Sequence, residues 1–439
     1  MTTRLAQNER PQAILFGLAP HGDVRTAPEA LRELALLADT GDFDVIGCMI
    51  QHRRVPDPHT FVGGGKLAEI KEVVSQSKAN VIICNDSLSP SQARNIEKVV
   101  GCPVLDRSEL ILHIFAKHAR TPQAKLQVEL AQLQYQLPRL KRMWTHLERQ
   151  RGGIGVRGGA GEKQIDVDRS ELRTRIAQVM RKLEAVGEQK TREIRQRPDR
   201  FTVAIVGYTN AGKSTLMNRL TDAGVLAEDR LFSTLDTRTR PWRLRGGRIV
   251  LVSDTVGFID NLPHQLVASF HATLQEALNA DLLFVVCDAS SPTALQELST
   301  VQSVLTQLEA EEIPRVTVFN KIDLVRDPAE LAPLRARYPD AVLISARTGA
   351  GLPELEDRLQ QHLASFEQHV QILLPHTAGH LLAELRSNAT VVSEFYTDQG
   401  CLIECVVNAF VLGRILARGA VIAPRDSTNG DGAPPAPAS

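Results

Sequence analysis

The stretch that decides the fold runs from Phe201 to Thr215 and reads FTVAIVGYTNAGKST. Its first six residues are apolar and partly β-branched, a run typical of a buried parallel strand. Gly207 and Gly212 follow, and the segment KSTLMNRLT from Lys213 onward favours a helix. A strand, a glycine-rich turn and a helix in this order form the context of a phosphate-binding loop. The stretch therefore predicts an α/β domain that binds a nucleotide.

The residue types of this loop suit the binding of phosphates. Gly207 and Gly212 allow the backbone to turn its N–H groups onto the β-phosphate, and the helix N-terminus adds partial positive charge. Lys213 should reach the β- and γ-phosphate oxygens, and the Ser214 hydroxyl should ligate Mg²⁺. The sequence thus predicts Mg²⁺ as a cofactor and Lys213 as a catalytic residue.

A second motif, NKID at Asn320 to Asp323, predicts guanine specificity. The Asp323 carboxylate can accept from guanine N1–H and from the 2-amino group, whereas adenine has neither donor. A site built on such a polar match discriminates by roughly 10⁴-fold or more. The loop Ser345-Ala346-Arg347 follows the apolar run AVLIS and could offer a backbone N–H to guanine O6. A lone GxxxxGKS also occurs in ATPases, but the two motifs together predict a GTP-binding switch domain.

Two further segments lie between these motifs. DTVG at Asp254 to Gly257 ends the strand-like run RIVLVS, so that Asp254 can hold the Mg²⁺ shell while the Gly257 N–H faces the γ-phosphate. Before it, LFSTLDTRTR should supply a threonine that completes the Mg²⁺ shell when GTP is bound. Thr234 is our choice, and Thr237 and Thr239 are competitors that spacing alone does not exclude.

The position directly after DTVG is Phe258, where many Ras-like GTPases have a glutamine that orients the attacking water. A benzyl group cannot do this, although His264 or Gln265 could supply the function from within the chain. We favour an enzyme that is slow alone and completed by a partner, because GTPases completed in trans gain roughly 10³–10⁵ in rate. Asn210 stands where an asparagine ligates K⁺ in some related GTPases, which makes K⁺ a second candidate cofactor. The alternative is that Asn210 only stabilises the turn of the loop.

Composition narrows the class of protein. The chain has 439 residues, enough for about three domains, and its net charge of zero argues against uniform attraction to nucleic acid. The segment from Leu137 to Arg200 is the exception, with 17 Lys and Arg against 9 Asp and Glu. Six scattered cysteines without a CxxC pair fit a reducing cytosol, and neither a signal peptide nor a membrane-length apolar run is evident. We predict a cytoplasmic monomer without stable membrane insertion, leaving peripheral membrane association open.

The pattern of elements predicts five segments. Alternating strands and helices over residues 1–120 indicate a small parallel α/β domain, and two apolar stripes over 121–198 indicate an antiparallel helical hairpin. The GTPase domain should cover 199–368, a small α+β domain with a βαββ pattern 369–425, and a disordered tail 426–439. Gly63-Gly64-Gly65-Lys66 superficially resembles a second phosphate loop, with a helix-start turn as the alternative.

The predicted hairpin carries the glycine-rich segment RQRGGIGVRGGAGEKQ, Arg149 to Gln164, which cannot be helical throughout. Glycine lets the backbone approach phosphates closely while cations supply charge, a combination suited to RNA. A flexible, solvated connector is the alternative. The candidate RNA contacts are Arg149, Arg151, Gly153, Arg157, Gly158 and Lys163.

Over nearly its whole length the chain resembles HflX-type ribosome-associated GTPases. The resemblance rests on LSPSQARNIEKVVGCPVLDRSELILHIFAKHARTPQAKLQVELAQLQYQLPRL from Leu88, on GGIGVRGGAGEKQIDVDR from Gly152, and on the GTPase motifs. It implies an N-terminal domain with the hairpin, a central Ras-like domain and a small C-terminal domain. It also implies binding to the large ribosomal subunit, hydrolysis stimulated by it, and splitting or rescue of stalled or idle ribosomes.

The resemblance also carries over individual site residues and supports Thr234, with Ser214, as a Mg²⁺ ligand. The catalytic set is then Lys213, Thr234 and Gly257. The implied GTP contacts are Gly207, Tyr208, Thr209, Asn210, Ala211, Gly212, Lys213, Ser214, Phe232, Ser233, Thr234, Leu235, Asp236, Asp254, Thr255, Val256, Gly257, Asn320, Lys321, Ile322, Asp323, Ser345, Ala346 and Arg347.

The chain departs from the family at three places. The family usually has a proline after Asp236, where this chain has Thr237; RGGAGE replaces the usual RGPGE; and Ser170 replaces a second arginine. Two other functions stay open. One is an RNA-binding adaptor in which GTP only gates affinity. The other is an RNA-modification GTPase, which would predict a cysteine motif or cofactor domain that residues 370–439 do not offer.

Overall fold

The computed structural model describes residues 10–19, 26–140, 160–195, 201–221, 231–232, 238–245, 247–259, 278–365, 367–376 and 378–423. The chain forms two compact units. The first comprises Met1–Thr191, Thr202–Trp242 and Leu251–Gly349, and the second comprises Arg192–Phe201, Arg243–Val250 and Ala350–Ser439. None of the helices in the described ranges is long and apolar enough to cross a bilayer.

A parallel four-stranded sheet with the order β2-β1-β3-β4 opens the first unit, as the alternating pattern predicted. Its strands are β1 (Gln12–Ala19), β2 (Asp44–His52), β3 (Val81–Cys84) and β4 (Val104–Leu105). The accompanying helices are α1 (Thr26–Thr40), α2 (Gly64–Ser77), α3 (Pro90–Val100) and α4 (Arg107–His118). Ser89 begins α3 with a capping box to Gln92, which fixes the start of that helix.

Two helices continue from this sheet, α5 (Pro122–Gln136) and α6 (Ala160–Arg195). The predicted stripe on α6 is half-buried, with Val179 fully buried; it consists of Leu172, Ile176, Val179, Leu183 and Val186. The predicted stripe that begins on α5 is likewise half-buried, with Leu130 buried; it consists of Leu126, Leu130, Leu133, Leu137 and Leu140. The buried residues of α5 are Ala124, Gln127, Val128, Leu130, Ala131 and Tyr135. An ion pair of 2.6 Å between Arg175 and Glu129 links the two helices.

The second sheet has six strands in the order β10-β9-β8-β5-β7-β6. They are β5 (Thr202–Gly207), β6 (Arg238–Arg243), β7 (Ile249–Asp254), β8 (Leu282–Asp288), β9 (Arg315–Asn320) and β10 (Val342–Leu343). The associated helices are α7 (Lys213–Thr221), α8 (Ala294–Gln307) and α9 (Ala332–Arg337), with 3₁₀ turns at Ile322–Leu324 and Pro328–Leu331. Strand β5 pairs in parallel with β7 on one side and β8 on the other. Ligands of such sheets bind at the carboxyl ends of the strands, where the order switches direction.

The second unit contains α10 (Leu352–Ser365) and an antiparallel sheet with the order β12-β13-β11-β14. Its strands are β11 (Glu367–Leu374), β12 (Thr390–Thr397), β13 (Gly400–Asn408) and β14 (Val421–Ala423), and its helices are α11 (Gly379–Asn388) and α12 (Ala409–Leu416). The predicted βαββ pattern is therefore extended by a second helix and a fourth strand. Ile372, Leu381, Ile403 and Val411 are among the buried residues of its core.

Candidate nucleotide site

The phosphate-binding loop follows β5, and its two glycines are fixed by close backbone packing. A Cβ atom on Gly207 would lie 2.1 Å from the Val286 carbonyl oxygen of the neighbouring strand. Gly212 has a φ of +89°, and a Cβ atom there would lie 2.3 Å from Asn320 Nδ2. Asn210 also has a positive φ, +57°, and is exposed. The loop thus requires glycine at both positions for its own packing, independently of any phosphate.

Lys213 begins α7 and is buried beneath this loop, with 6% of its surface exposed. Its Nζ donates a hydrogen bond of 2.7 Å to the carbonyl oxygen of Tyr208. Burial, with a smaller contribution from the like charge of Lys321, lowers the pKa of Lys213 to about 8, while Asp254 acts in the opposite direction. A bound phosphate group would supply the negative charge that stabilises the ammonium here.

Ser214 and Asp254 bring two hard oxygen ligands together. The Ser214 hydroxyl donates to Asp254 Oδ2 at 2.7 Å, which joins the start of α7 to the end of β7. A hydroxyl beside a carboxylate at the phosphate loop is a donor set that Mg²⁺ accepts, so these residues fit the predicted ion. Thr239 lies in β6, and its hydroxyl forms a 2.9 Å hydrogen bond with the Ser253 hydroxyl. Thr234 and Thr237 lie outside the described residues.

The NKID motif ties three loops together at the carboxyl end of β9. Asn320 is buried; its Nδ2 donates to the Ala211 carbonyl at 2.9 Å, and its Oδ1 accepts from the Ala346 N–H at 2.9 Å. Lys321 has a φ of +63° and forms an ion pair of 2.7 Å with Asp288. Asn320 therefore joins the phosphate loop to the Ser345-Ala346-Arg347 loop, as a site that holds a base and its phosphates together requires.

Asp323 follows in the 3₁₀ turn, and its carboxylate is oriented by two neighbours. Oδ1 accepts a 2.5 Å hydrogen bond from the Ser345 hydroxyl, and Oδ2 lies 2.5 Å from Arg347 Nη2. The hydrogen bond from Ser345, with support from Arg347, lowers the pKa of Asp323 below its ordinary value. The carboxylate is thus held ionised as an acceptor, which is the chemistry that recognition of guanine needs.

The backbone after DTVG is bonded directly to the phosphate loop. Phe258 N–H donates to the Gly207 carbonyl at 3.0 Å, and Thr209 N–H donates to the Phe258 carbonyl at 2.7 Å. These two bonds form an isolated parallel bridge between Tyr208 and Phe258. The Phe258 side chain is 3% exposed and belongs to the apolar core. The residue at this position therefore stabilises packing and has no polar group to offer. The alternatives His264 and Gln265 lie outside the described residues.

The N-terminal α/β region contacts the segment predicted to change with the nucleotide. The Phe232 ring packs edge-on against Phe115 of α4 with 4.7 Å between centroids, and the Phe232 carbonyl lies 2.9 Å from His118 Nδ1. Phe232 is buried and has a φ of +54°. Sequence reasoning proposed Phe232 only as a nucleotide contact and missed this attachment. Ser233, Thr234, Leu235 and Asp236 lie outside the described residues.

A second contact reaches the phosphate loop itself. The Tyr208 hydroxyl donates to Glu33 Oε1 of α1 at 3.1 Å, and the same oxygen lies 2.7 Å from Arg107 Nη2 of α4. A cleft of about 740 Å³ follows this contact, lined by α1, the loop residues Tyr208, Thr209 and Asn210, and the start of α8. No sequence motif indicated this arrangement, because Tyr208 occupies a variable position of the loop pattern.

Most of the predicted RNA contacts fall in the segment between the hairpin helices. Arg149, Arg151, Gly153, Arg157 and Gly158 lie outside the described residues. Lys163 belongs to α6, which begins at Ala160, and only the backbone of Lys163 is described. The end of the glycine-rich segment, from Ala160 onward, is therefore helical.

The strand, glycine-rich loop and helix, together with the NKID side chains at the same edge of a parallel sheet, define a P-loop GTPase. Comparison with known proteins agrees. Residues 28–116 match a family model described as GTP-binding GTPase N-terminal, residues 118–197 one described as GTP-binding GTPase Middle Region, and residues 202–321 one described as 50S ribosome-binding GTPase.

Curated relatives cover most of the chain. GTPase HflX of Magnetococcus marinus is 42% identical over 406 residues, which are 92% of this chain and 93% of that protein. GTPase HflX of Escherichia coli is 43% identical over 375 residues, 85% of this chain and 88% of that protein. A solved GTP-binding protein from Sulfolobus solfataricus in complex with GDP is 25% identical, with a TM-score of 0.44, and covers 80% of this chain and 98% of its own. The chain therefore belongs to the HflX family of GTPases, and the resemblance stated from the motifs is confirmed.

Proposed function

We propose that this protein binds the large ribosomal subunit and uses GTP to split or rescue stalled or idle ribosomes. Hydrolysis is slow in the isolated protein and is stimulated by the ribosome. One observation carries the second half of this proposal. Phe258, at the position after DTVG, is buried in the core and its backbone is bonded to the phosphate loop. A glutamine that orients water is thus replaced by a packing residue, and we infer that fast turnover needs a partner that completes the site.

The proposed nucleotide contacts follow from the geometry of the loops. Lys213 and the backbone N–H groups of Gly207–Ser214 bind the phosphates, and Gly257 faces the γ-phosphate. Asp323 accepts from the guanine base, while Asn320 holds the loops on both sides of it. Ser214, with Thr234, would hold Mg²⁺, which would supply positive charge at the phosphates. We propose K⁺ beside Asn210 as a second cation; the positive φ of Asn210 is also explained by the turn alone.

The proposed contact with ribosomal RNA is the segment between α5 and α6. The stretch from Leu137 to Arg200 contains this segment and carries 17 Lys and Arg against 9 Asp and Glu, in a chain whose net charge is zero. The excess of positive charge in this stretch, with the rest of the chain net negative, favours docking of this segment rather than of the remainder on RNA. The family model named for 50S ribosome binding supports the same partner.

The experiment that tests the proposal measures GTP turnover and ribosome state together. Purified 70S ribosomes are incubated with the protein and GTP, GDP or a non-hydrolysable GTP analogue. Phosphate release is followed over time, and free subunits are resolved by sucrose-gradient sedimentation. We expect GTP to produce free subunits and phosphate release to rise strongly with added large subunit. If the protein binds ribosomes only with GTP but neither separates them nor hydrolyses faster, it is an adaptor whose affinity GTP gates.

A further inference from the structure

We propose that the Thr209 hydroxyl is a catalytic contact for GTP hydrolysis, holding the attacking water against the γ-phosphate. The water oxygen forms a bond to the γ-phosphorus while the bond from phosphorus to the bridging oxygen of GDP breaks. The protons of the water end on the phosphate product and in solvent, and Thr209 is left unchanged. Its hydroxyl accepts a hydrogen bond from the water and donates its own hydrogen to a γ-phosphate oxygen. The inference rests on the proposed phosphate contacts of Lys213 and Gly257.

The first observation is that Thr209 is a buried polar side chain without a partner. The residue is 6% exposed, and its Oγ1 has no hydrogen bond within the part of the chain that the structure describes. Buried hydroxyls are nearly always hydrogen-bonded, so an unpaired one indicates a ligand. Thr209 uses its backbone N–H to bond Phe258, which fixes the position of the residue while leaving its hydroxyl available.

The second observation is where Thr209 lies. A Cβ atom built on Gly257 would lie 2.9 Å from Lys213 Nζ, 2.9 Å from Thr209 Cα and 3.0 Å from Thr209 Cγ2. Thr209 and Lys213 Nζ therefore both lie beside Gly257, and Lys213 and Gly257 are the residues proposed to contact the γ-phosphate. Thr209 also lines the cleft of about 740 Å³ beside the loop.

The third observation is that neighbouring hydroxyls in the described part of the site are already engaged. The Thr255 hydroxyl donates to the Ile205 carbonyl at 2.8 Å, and the Ser214 hydroxyl donates to Asp254. Thr239 is bonded to Ser253 in the strand β6. Phe258 supplies only an apolar ring. Among the hydroxyl-bearing residues in the described part of this site, Thr209 combines burial, a hydroxyl oxygen without a hydrogen bond and a position beside Gly257.

The test replaces the hydroxyl while keeping the shape. Thr209→Val preserves the branched side chain and the backbone N–H, and Thr209→Ser returns the hydroxyl without the methyl group. Single-turnover hydrolysis is measured with excess protein, without ribosomes, and GDP and GTP affinities are measured separately. We expect Thr209→Val to lower the rate at saturating GTP by at least about tenfold with GDP affinity changed less than about twofold, since one lost transition-state hydrogen bond commonly lowers kcat by 10²–10³. Thr209→Ser should recover most of that loss.

A second readout separates catalysis from structure. Aluminium fluoride, a mimic of the transferring phosphoryl group, should tighten GDP binding to the parent and to Thr209→Ser, and should not do so for Thr209→Val. Hydrolysis by Thr209→Val within twofold of the parent would overturn the inference. The inference would also be overturned if Thr209→Ser lost as much of the hydrolysis rate as Thr209→Val. A loss of GDP affinity in Thr209→Val that accounts for its lower rate would overturn it as well. The proposed phosphate contacts are tested separately with Lys213→Ala. If this variant binds nucleotide as tightly as the parent, the proposed phosphate contacts are contradicted.

Discussion

The pKa of Lys213 makes nucleotide binding depend on pH in a calculable way. In the free protein, burial lowers this pKa to about 8 from an ordinary value of 10.5. Because this pKa is depressed, Lys213 of the free protein loses its proton as pH rises through about 8. A phosphate group binds the charged lysine and restores a higher pKa, so binding above pH 8 must take up a proton.

The expected change in Kd follows from the fraction of the free protein in which Lys213 carries its positive charge. At pH 9, one unit above the pKa, about one tenth of the free protein carries the charged lysine, so the apparent Kd for GDP should be about tenfold larger than at pH 7. Calorimetry from pH 7 to pH 9, in two buffers of different ionisation enthalpy, measures both the Kd and the proton uptake. Lys213→Arg is the matched control, because its guanidinium does not titrate in this range and its affinity, though weaker, should be independent of pH. A parent Kd that stays constant to pH 9 without proton uptake would refute the reasoning.

Five other outcomes are expected. Asp323→Asn should weaken GTP binding by at least about tenfold, because a charged hydrogen bond is lost, and should favour xanthosine triphosphate; equal GTP affinity in a filter-binding assay would contradict the assignment. Replacing Gly152 to Gly161 by a short neutral turn should leave GTP affinity and basal hydrolysis nearly unchanged but abolish subunit separation on sucrose gradients, and Arg157→Glu should make ribosome binding fall more steeply with salt. Turnover should be faster in KCl than in NaCl, and equal rates would remove the K⁺ role of Asn210. Phe115→Ala should lower the free energy of unfolding by about 3–5 kcal/mol in urea titrations, because Phe115 is fully buried against Phe232; a loss below about 1 kcal/mol would contradict the packing.

The parts of the fold that the sequence predicted are those encoded by local patterns. The strand before Gly207, the helix from Lys213 and the strand that delivers Asn320 each have a short apolar run beside a motif of fixed spacing. The glycine at 212 was assigned to phosphate approach, and the structure adds a packing reason in the Asn320 amide. The start of α3 carries a comparable local signal, the capping box at Ser89.

The missed elements lack such a local signal. Helix α4 is buried on several sides, with Leu110, Ile111, Leu112, Ile114 and Phe115 all inaccessible, so it has no single apolar stripe. On α5 the regular leucines indicated one partly covered face, and the structure adds Ala124, Ala131 and the fully buried Gln127 to the packed surface. The spacing of leucines along a helix does not show which face of that helix a neighbouring element covers.

The attachment of the phosphate loop and of Phe232 to the N-terminal region could not be read from the sequence for a different reason. Tyr208 and Glu33 are 175 residues apart, and Phe232 and His118 are 114 residues apart. A single sequence carries no periodicity that relates such positions. Only the folded chain shows that α1 contacts Tyr208 of the phosphate loop and that α4 contacts Phe232.

The most direct test of the central claim is the steady-state rate of GTP hydrolysis with and without purified large ribosomal subunits. The measurement is made at saturating GTP, with small subunits at the same concentration as the control for added RNA and protein. Because Phe258 leaves the site to be completed in trans, we predict a rate increase of roughly 10³ with the large subunit and little change with the small subunit. A rate that is the same with large subunits, small subunits and buffer would contradict the account.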